Sequence, residues 1–334
     1  MTHLDGKARA TARANIALAK YWGKADVALN LPAVPSISLT LDGLVTRTSV
    51  RFDRRLDADE VELDGRPATA KESARVVELL DRVRAAAKAE TRAKVVSNNR
   101  FPTAAGLASS ASGFAALAAA ASHAAGLGWG LRKVSSEARR SSASAARSVY
   151  GGFAELPAGK QRKDGRWDGF LPAKALHGPE HWDLRLVVAE TARGPKKVGS
   201  TEGMERSRTT SPYYDAWVRE APAWADQLRK ALKRRDLPGV GEAMERSTLA
   251  FHTCAITAYP SILYWQAPTV AVLHAVRELR EARGLACWAT MDAGPHVKVL
   301  CAAADARKIR AALKRVEGVT GTLVCKPGAG IEVA

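Results

Sequence analysis

Asp292, Arg147, the closely spaced Lys20, Tyr21 and Lys24, and a run of small residues from Phe101 to Gly113 carry the side chains that could do chemistry. The run reads Phe101-Pro102-Thr103-Ala104-Ala105-Gly106-Leu107-Ala108-Ser109-Ser110-Ala111-Ser112-Gly113. Small side chains let an anion approach the backbone, and the unpaired N–H groups at a helix start, reinforced by the helix dipole, attract phosphate. Ser109, Ser110 and Ser112 add hydroxyls. No Gly-Lys-Ser/Thr follows, so this is not a Walker loop. The same pattern also suits a tight turn before an Ala-rich core helix.

Arg147 lies in a second small-residue cluster, Ser141 to Phe153, where it could hold a carboxylate or phosphate through a two-pronged contact or pair with a core acid. Asp292 follows an apolar segment and opens the turn Asp292-Ala293-Gly294-Pro295. A carboxylate there could take or orient the proton of a substrate hydroxyl, or satisfy its own turn amides. Lys20, Tyr21 and Lys24 fall where a strand gives way to a loop, which suits either an anion or an ordinary surface turn. His177 and His181 flank Glu180, but Gly178-Pro179 disfavours the helix that would put both histidines on one metal-binding face.

These residues need elements to position them. Alternation of polar and apolar residues predicts strands over 36–41 and 46–52, and a short strand over 61–63. An apolar face at helical spacing predicts a helix over 70–90. A short apolar segment (93–97), the small-residue loop and a helix from Phe114 to about Ala125 give the order strand, loop, helix. A further helix is expected over 131–140. Residues 157–183 read as loop and a domain boundary, and Leu184 to Glu190 as a strand. Helices are expected at about 212–234, 239–252, 268–283 and 305–316, with Ser200 or Thr201 capping one that starts near 200. Strands are expected over 286–291, 297–301 and 319–325. The chain is an α/β (α+β) protein.

Composition narrows the classes. At 334 residues with 46% hydrophobic content, one large or two modest domains with a sizeable core are expected. No stretch of about 18 apolar residues predicts a membrane span, and the first residues lack an apolar signal core, so a cytoplasmic protein is expected. Cys254, Cys287, Cys301 and Cys325 form no Cys-x-x-Cys pair and read as reduced, buried thiols. The net charge of +17 is scattered, without a basic tail or aromatic-interleaved stripe. It therefore argues for a basic surface that gathers anionic metabolites rather than for a nucleic-acid partner.

Taken together and in order, the motifs resemble one family. Pro102 to Ala111 is similar to the phosphate-binding motif of the small-molecule kinase superfamily that includes galactokinase, homoserine kinase and mevalonate kinase. More narrowly, Ala14-Asn15-Ile16-Ala17-Leu18-Ala19-Lys20-Tyr21-Trp22-Gly23-Lys24, Asn99 to Gly113, Arg147-Ser148-Val149-Tyr150-Gly151-Gly152 and Thr290-Met291-Asp292-Ala293-Gly294-Pro295 resemble diphosphomevalonate decarboxylases. Ser200-Thr201-Glu202-Gly203-Met204 is similar to a fifth family segment. The resemblance implies a two-domain fold, 1–183 binding ATP and phosphate and 184–334 forming the C-terminal domain, with the active site in the interdomain cleft. It implies a reaction dependent on ATP and Mg2+ that phosphorylates the 3-hydroxyl of mevalonate 5-diphosphate and then releases phosphate and CO2 to give isopentenyl diphosphate.

The roles implied by the resemblance follow. Asp292 accepts or orients the hydroxyl proton, and Arg147 holds the substrate. Tyr21 and Lys24 bind the diphosphate with help from Ser142, Ser144, Ser200 and Thr201. Ala105, Gly106, Leu107, Ser109 and Ser110 surround ATP, and no side chain is assigned as a direct metal ligand. A homodimer is expected. The chain departs from the family pattern at Val34-Pro35-Ser36, at Ser142-Ala143-Ser144 where the family has Ser-Gly-Ser, and at His296 where it has Asn. These changes bear on substrate choice, including monophosphate against diphosphate. Lys24 and Asp292 argue against a variant that stops at phosphorylation.

Overall fold

The computed structural model describes residues 3–101, 109–192 and 197–334. Its first strands are long. β1 (Lys7–Ala19) pairs antiparallel with β4 (Ser36–Phe52), and between them β2 (Lys24–Asp26) and β3 (Leu31–Pro32) form a small ribbon. The two strands expected over 36–41 and 46–52 are thus one. Gly43, at φ 87°, carries the chain through Asp42-Gly43-Leu44, and the register against β1 shifts beside it. Such an irregularity bends a strand without ending it.

β4 is the axis of the larger sheet. β5 (Glu60–Leu63), β6 (Arg66–Pro67) and β7 (Ala93–Asn99) extend it from the C-terminal half of β4, while β8 (Phe153–Leu156) and β9 (Lys174–His177) extend it from the N-terminal half. α1 (Ala70–Ala87) starts with a capping box made by Thr69 and Glu72. α2 (Ser109–Ala124) begins five residues earlier than its apolar stripe suggested, so Ser109 and Ser110 are its first turn. Alanines along α2 are buried against Ala8, Ala10, Ala12 and Val50 of β1 and β4. α3 (Leu131–Ser141) and the short α4 (Ala145–Ser148) follow, α4 carrying Arg147.

The expected loop over 157–183 contains β9 and a 3-10 turn at Pro179–His181. Buried Arg139 holds part of it, donating to the carbonyls of Leu171 (3.0 Å), Gly169 (2.6 Å) and Leu29. His177 and His181 stack at 3.9 Å, both edge-on to Phe153, and His181 Nε2 meets the Leu232 carbonyl at 3.0 Å.

The smaller sheet has the order β11 (Cys287–Met291), β12 (Val297–Ala302), β10 (Leu184–Glu190), β13 (Gly321–Cys325). Strand alternation divides its faces. Leu184, Leu186, Val188 and Leu300 join a core with α6 (Tyr214–Arg234), α7 (Leu237–Ile256) and the residues Ile16, Leu18, Ile37 and Leu39 of β1 and β4. Val187, Val297, Val299 and Cys301 face α8 (Ala267–Glu281) and α9 (Ala306–Leu313). α5 (Ser200–Thr210) packs Met204 into an aromatic cluster with Trp22, Trp217, Phe251 and Tyr264; its cap is Gly199, not Ser200 or Thr201. The chain ends in β14 (Glu332–Val333), which returns to pair with β1. All four cysteines are free and buried, and burial pushes their thiols up, that of Cys254 to about 12. Among the described residues, no helix is long and apolar enough to cross a membrane.

One helix-to-strand contact matters for the site. β11 is an edge strand, and α7 covers it. Gly241 lies against the Trp288 ring, Glu245 accepts from the Ala289 amide at 2.9 Å, and Thr248 and Thr290 share a hydroxyl contact at 2.9 Å. Positions 241, 245 and 248 fall on one helical face and match successive residues of β11. The edge amide that would lack a partner is thereby satisfied. A Cβ at Gly241 would come within 2.0 Å of the Trp288 ring. Gly241→Ala is therefore expected to destabilise the protein by about 1–3 kcal/mol. Denaturant unfolding checks this, and an unchanged midpoint would contradict the close packing.

Candidate active site in the cleft between the sheets

The site begins where β1 ends. From Ala14 onward both faces of β1 are covered, so Asn15 and, just past the strand, Lys20 are buried although both are polar. Asn15 donates to the Ser144 carbonyl (3.0 Å) and to Ser148 Oγ (2.8 Å), tying β1 to α4. The Lys20 amide donates to Ser247 Oγ of α7 at 2.9 Å. The chain then turns through Tyr21-Trp22-Gly23. Gly23 has φ 99°, and a Cβ there would come within 2.0 Å of the Tyr214 hydroxyl, so the turn requires glycine. The Trp217 indole donates to the Trp22 carbonyl at 2.8 Å and pins the loop to α6.

Asp292 follows β11 directly. Its side chain is met by two lysines: Lys20 Nζ donates to Oδ1 at 2.8 Å and Lys298 Nζ, from β12, lies 3.1 Å from Oδ2. Burial pushes the carboxyl up, but the two ammonium groups overcome it and hold Asp292 well below the usual carboxylate range. Burial lowers Lys20 to about 8 against the opposing pull of Asp292, with Lys298 and Arg147 adding smaller repulsions.

Arg147 is buried and pairs with no core acid at ion-pair distance among the described residues. It donates to Ser36 Oγ at 2.5 Å, while its Nε has no partner there. Burial lowers it to about 10, and Asp292 and Tyr21 act on it electrostatically. A guanidinium left partly unsatisfied in a polar cleft suits an anionic ligand. Ser142 and Ser144 stand 3.2 Å apart at the start of α4, each part-exposed. The Tyr21 hydroxyl is buried without a partner among the described residues, and burial pushes it up. Half-buried Lys24, on β2, is lowered by burial and by Arg75, with Glu205 of α5 opposing. Ser200 and exposed Thr201 form the first turn of α5, beside this rim.

The geometry thus joins Lys20, Arg147 and Asp292 in one electrostatic cluster that also reaches Tyr21, with Ser142 and Ser144 on the turn leading into α4. Ser110 is exposed at the start of α2, which Ser112 Oγ anchors to Thr46 of β4 at 2.6 Å. Ala105, Gly106 and Leu107 lie outside the described residues. Sequence reasoning missed Lys298 and His252. Lys298 is signalled by a lysine inside Val297-Lys298-Val299-Leu300, and His252 by a histidine on the inner face of α7. His252 is 1% exposed with neither ring nitrogen partnered among the described residues. Burial and Lys20 push it well down, so it is neutral.

The fold and this cationic cleft define a two-domain protein of the small-molecule kinase type. A family model described as the diphosphomevalonate decarboxylase-like N-terminal domain matches residues 12–166, and one described as the mevalonate 5-diphosphate decarboxylase C-terminal domain matches residues 186–324. The chain belongs to the diphosphomevalonate decarboxylase family. It is 34% identical to diphosphomevalonate decarboxylase from Homo sapiens over 86% of this chain and 75% of the relative. It is 33% identical to a phosphomevalonate decarboxylase from Haloferax volcanii over 88% of this chain and 87% of the relative. Mevalonate diphosphate decarboxylase from Staphylococcus aureus superposes with a TM-score of 0.91 at 35% identity, covering 98% of each chain. A solved complex with MVAPP, AMPPCP and magnesium superposes at 0.90 with 37% identity, covering 98% of this chain and 99% of that one.

The charge pattern makes a pH prediction. Above about 8, Lys20 loses its proton and the site loses a cation. kcat/KM, which reports groups of the free enzyme, is expected to fall as pH rises through that value. Lys20→Arg, which stays charged, is expected to remove this limb whatever its residual rate. A wild-type profile flat to pH 10 would contradict the assignment.

Proposed function

We propose that the protein catalyses the ATP-dependent decarboxylation of mevalonate 5-diphosphate to isopentenyl diphosphate, ADP, phosphate and CO2 in the mevalonate pathway. The observation that carries this reading is the carboxylate of Asp292 set among Lys20, Lys298 and Arg147, in a chain matched over both domains by the family. ATP is the co-substrate and Mg2+ its cation. Among the described residues no group of three or more His, Cys, Asp or Glu could hold a metal. When bound, Mg2+ would neutralise charge on the nucleotide's phosphates.

Asp292 orients the substrate's 3-hydroxyl toward the transferred phosphoryl group and accepts its hydrogen bond. A tertiary hydroxyl leaves poorly, and its phosphate ester leaves well. Phosphoryl transfer needs positioning and charge neutralisation more than covalent help. As the ester departs, positive character grows at C3, and Arg147 holds the carboxylate so that its electrons enter the new double bond. Tyr21, Lys24, Ser142, Ser144, Ser200 and Thr201 hold the diphosphate, and the segment from Ala105 to Ser110 cradles ATP. In this reading the 1–183 and 184–334 halves are the two domains, and the protein works in the cytoplasm as a homodimer, which light scattering tests.

A substrate panel tests the activity. Mg-ATP with mevalonate, its 5-phosphate or its 5-diphosphate should give ADP, phosphate and CO2 in equal amounts from the diphosphate alone. Release from the monophosphate would favour the second reading, which the relative from Haloferax volcanii supports. ADP without CO2 would defeat both. Asp292→Asn should lower kcat by about 10²–10⁴-fold while ATP still binds; full activity would remove Asp292 from its role.

A further inference from the structure

Lys298 is a lysine where the fold calls for an apolar residue. β12 is an interior strand, paired with β11 on one side and β10 on the other. Lys298 is registered against Thr290 and Val188, and its side chain is 1% exposed. It shares a strand face with Leu300, which belongs to the core between the sheets. A buried ammonium costs several kcal/mol of hydration that a well-packed apolar side chain would not. Its one ion-pair partner among the described residues is Asp292.

The two cations on Asp292 are placed differently. Lys20 sits at the last residue before the loop that holds Tyr21, Trp22 and Gly23, and Arg147 lies within electrostatic reach of it. Lys298 is held by hydrogen-bonded neighbours on both sides. When phosphate groups enter the cleft, Lys20 has a competing anion to turn to. Asp292 Oδ2, a buried atom on a side chain that is one-quarter exposed, would then be left unpaired unless a second cation stayed with it.

Resting on the function proposed above, we propose that Lys298 is a positioning residue: it anchors Asp292 Oδ2 from the interior of the sheet, so that the carboxylate keeps its charge and orientation when Lys20 engages substrate. Among the described residues, the charged and titratable groups facing Asp292 are Lys20 just past β1, Lys298 from β12, Arg147 from α4 and His252 from α7. Removing Lys298 leaves the Lys20–Asp292 pair in place, so Lys298→Met, of similar length, leaves no charge alone in the resting site.

The test uses the full-length chain. Lys298→Met is expected to lower kcat by about tenfold to a hundredfold, the scale of a misplaced catalytic group, with KM for the diphosphate substrate little changed. In an Asp292→Asn background the same substitution should cost little further, because residues acting through one another are not additive. Wild-type kcat in Lys298→Met, or full additivity in the double variant, would overturn the proposal. A substrate-free readout stands beside these. In protein labelled with 13C at aspartate Cγ, and assigned by its loss in Asp292→Asn, the Asp292 signal should titrate below the ordinary carboxylate range. It should move up by about one to three pH units in Lys298→Met. An ordinary titration in the wild type would overturn the proposal even if the variant did not fold. Wild-type protein inactive on the whole substrate panel would instead sink the function, leaving the titration to judge Lys298.

Discussion

A carboxylate largely withdrawn from water at a strand end is costly unless cations meet it, and the site depends on how this one is met. Lys20 and Lys298 reach Asp292 from two different sheets. That requires the end of β1, the end of β11 and the start of β12 to converge. The requirement explains the stitching around them. α7 is bound to Lys20 through Ser247, to β11 through Glu245 and Thr248, and to the Trp288 ring through the absence of a side chain at Gly241. A small displacement of any of these elements would separate charges that the low-dielectric interior cannot leave apart.

The balance of charge follows from the same contact. Two ammoniums pair with one carboxylate and a guanidinium lies within electrostatic reach of it, so the cluster carries an excess of positive charge before any ligand arrives. Lys24 and Arg75 add to it at the rim. Such a site is preorganised for a ligand bearing several negative charges, with the electrostatics paid for in advance by the fold. The scattered basic surface, +17 overall, extends this attraction outward.

Much of this was legible in the residue string. Asp292, Arg147 and the Lys20–Lys24 segment stand in motifs whose neighbours are small or apolar, so a charged side chain there signals a site. The helices at α1, α6, α7 and α8 follow from apolar spacing. Lys298 was hidden because a single lysine in an apolar run looks like the solvent side of an alternating strand; only the packing of α6 and α7 on one face of the sheet and of α8 and α9 on the other shows that β12 has no solvent side. The continuity of β4 was hidden by Asp42-Gly43, which reads as a turn and acts as a bend. The start of α5 was misread because Gly199, not a hydroxyl residue, caps it. The return of β14 to β1 rests on a two-residue strand whose partner lies more than three hundred positions away, beyond the reach of any local pattern.

That return has a mechanical consequence. The chain crosses from the larger sheet to the smaller one after the Pro179–His181 turn and crosses back after β13, so the second unit is tethered at both its entry and its exit. One continuous apolar core also spans the gap, drawing Ile16 and Leu39 from one sheet and Leu186 and Leu300 from the other. Units joined by a single flexible tether swing apart easily, whereas a large hydrophobic contact resists separation. The two sheets are therefore held against independent swinging at three places: the entry, the exit and the apolar core they share.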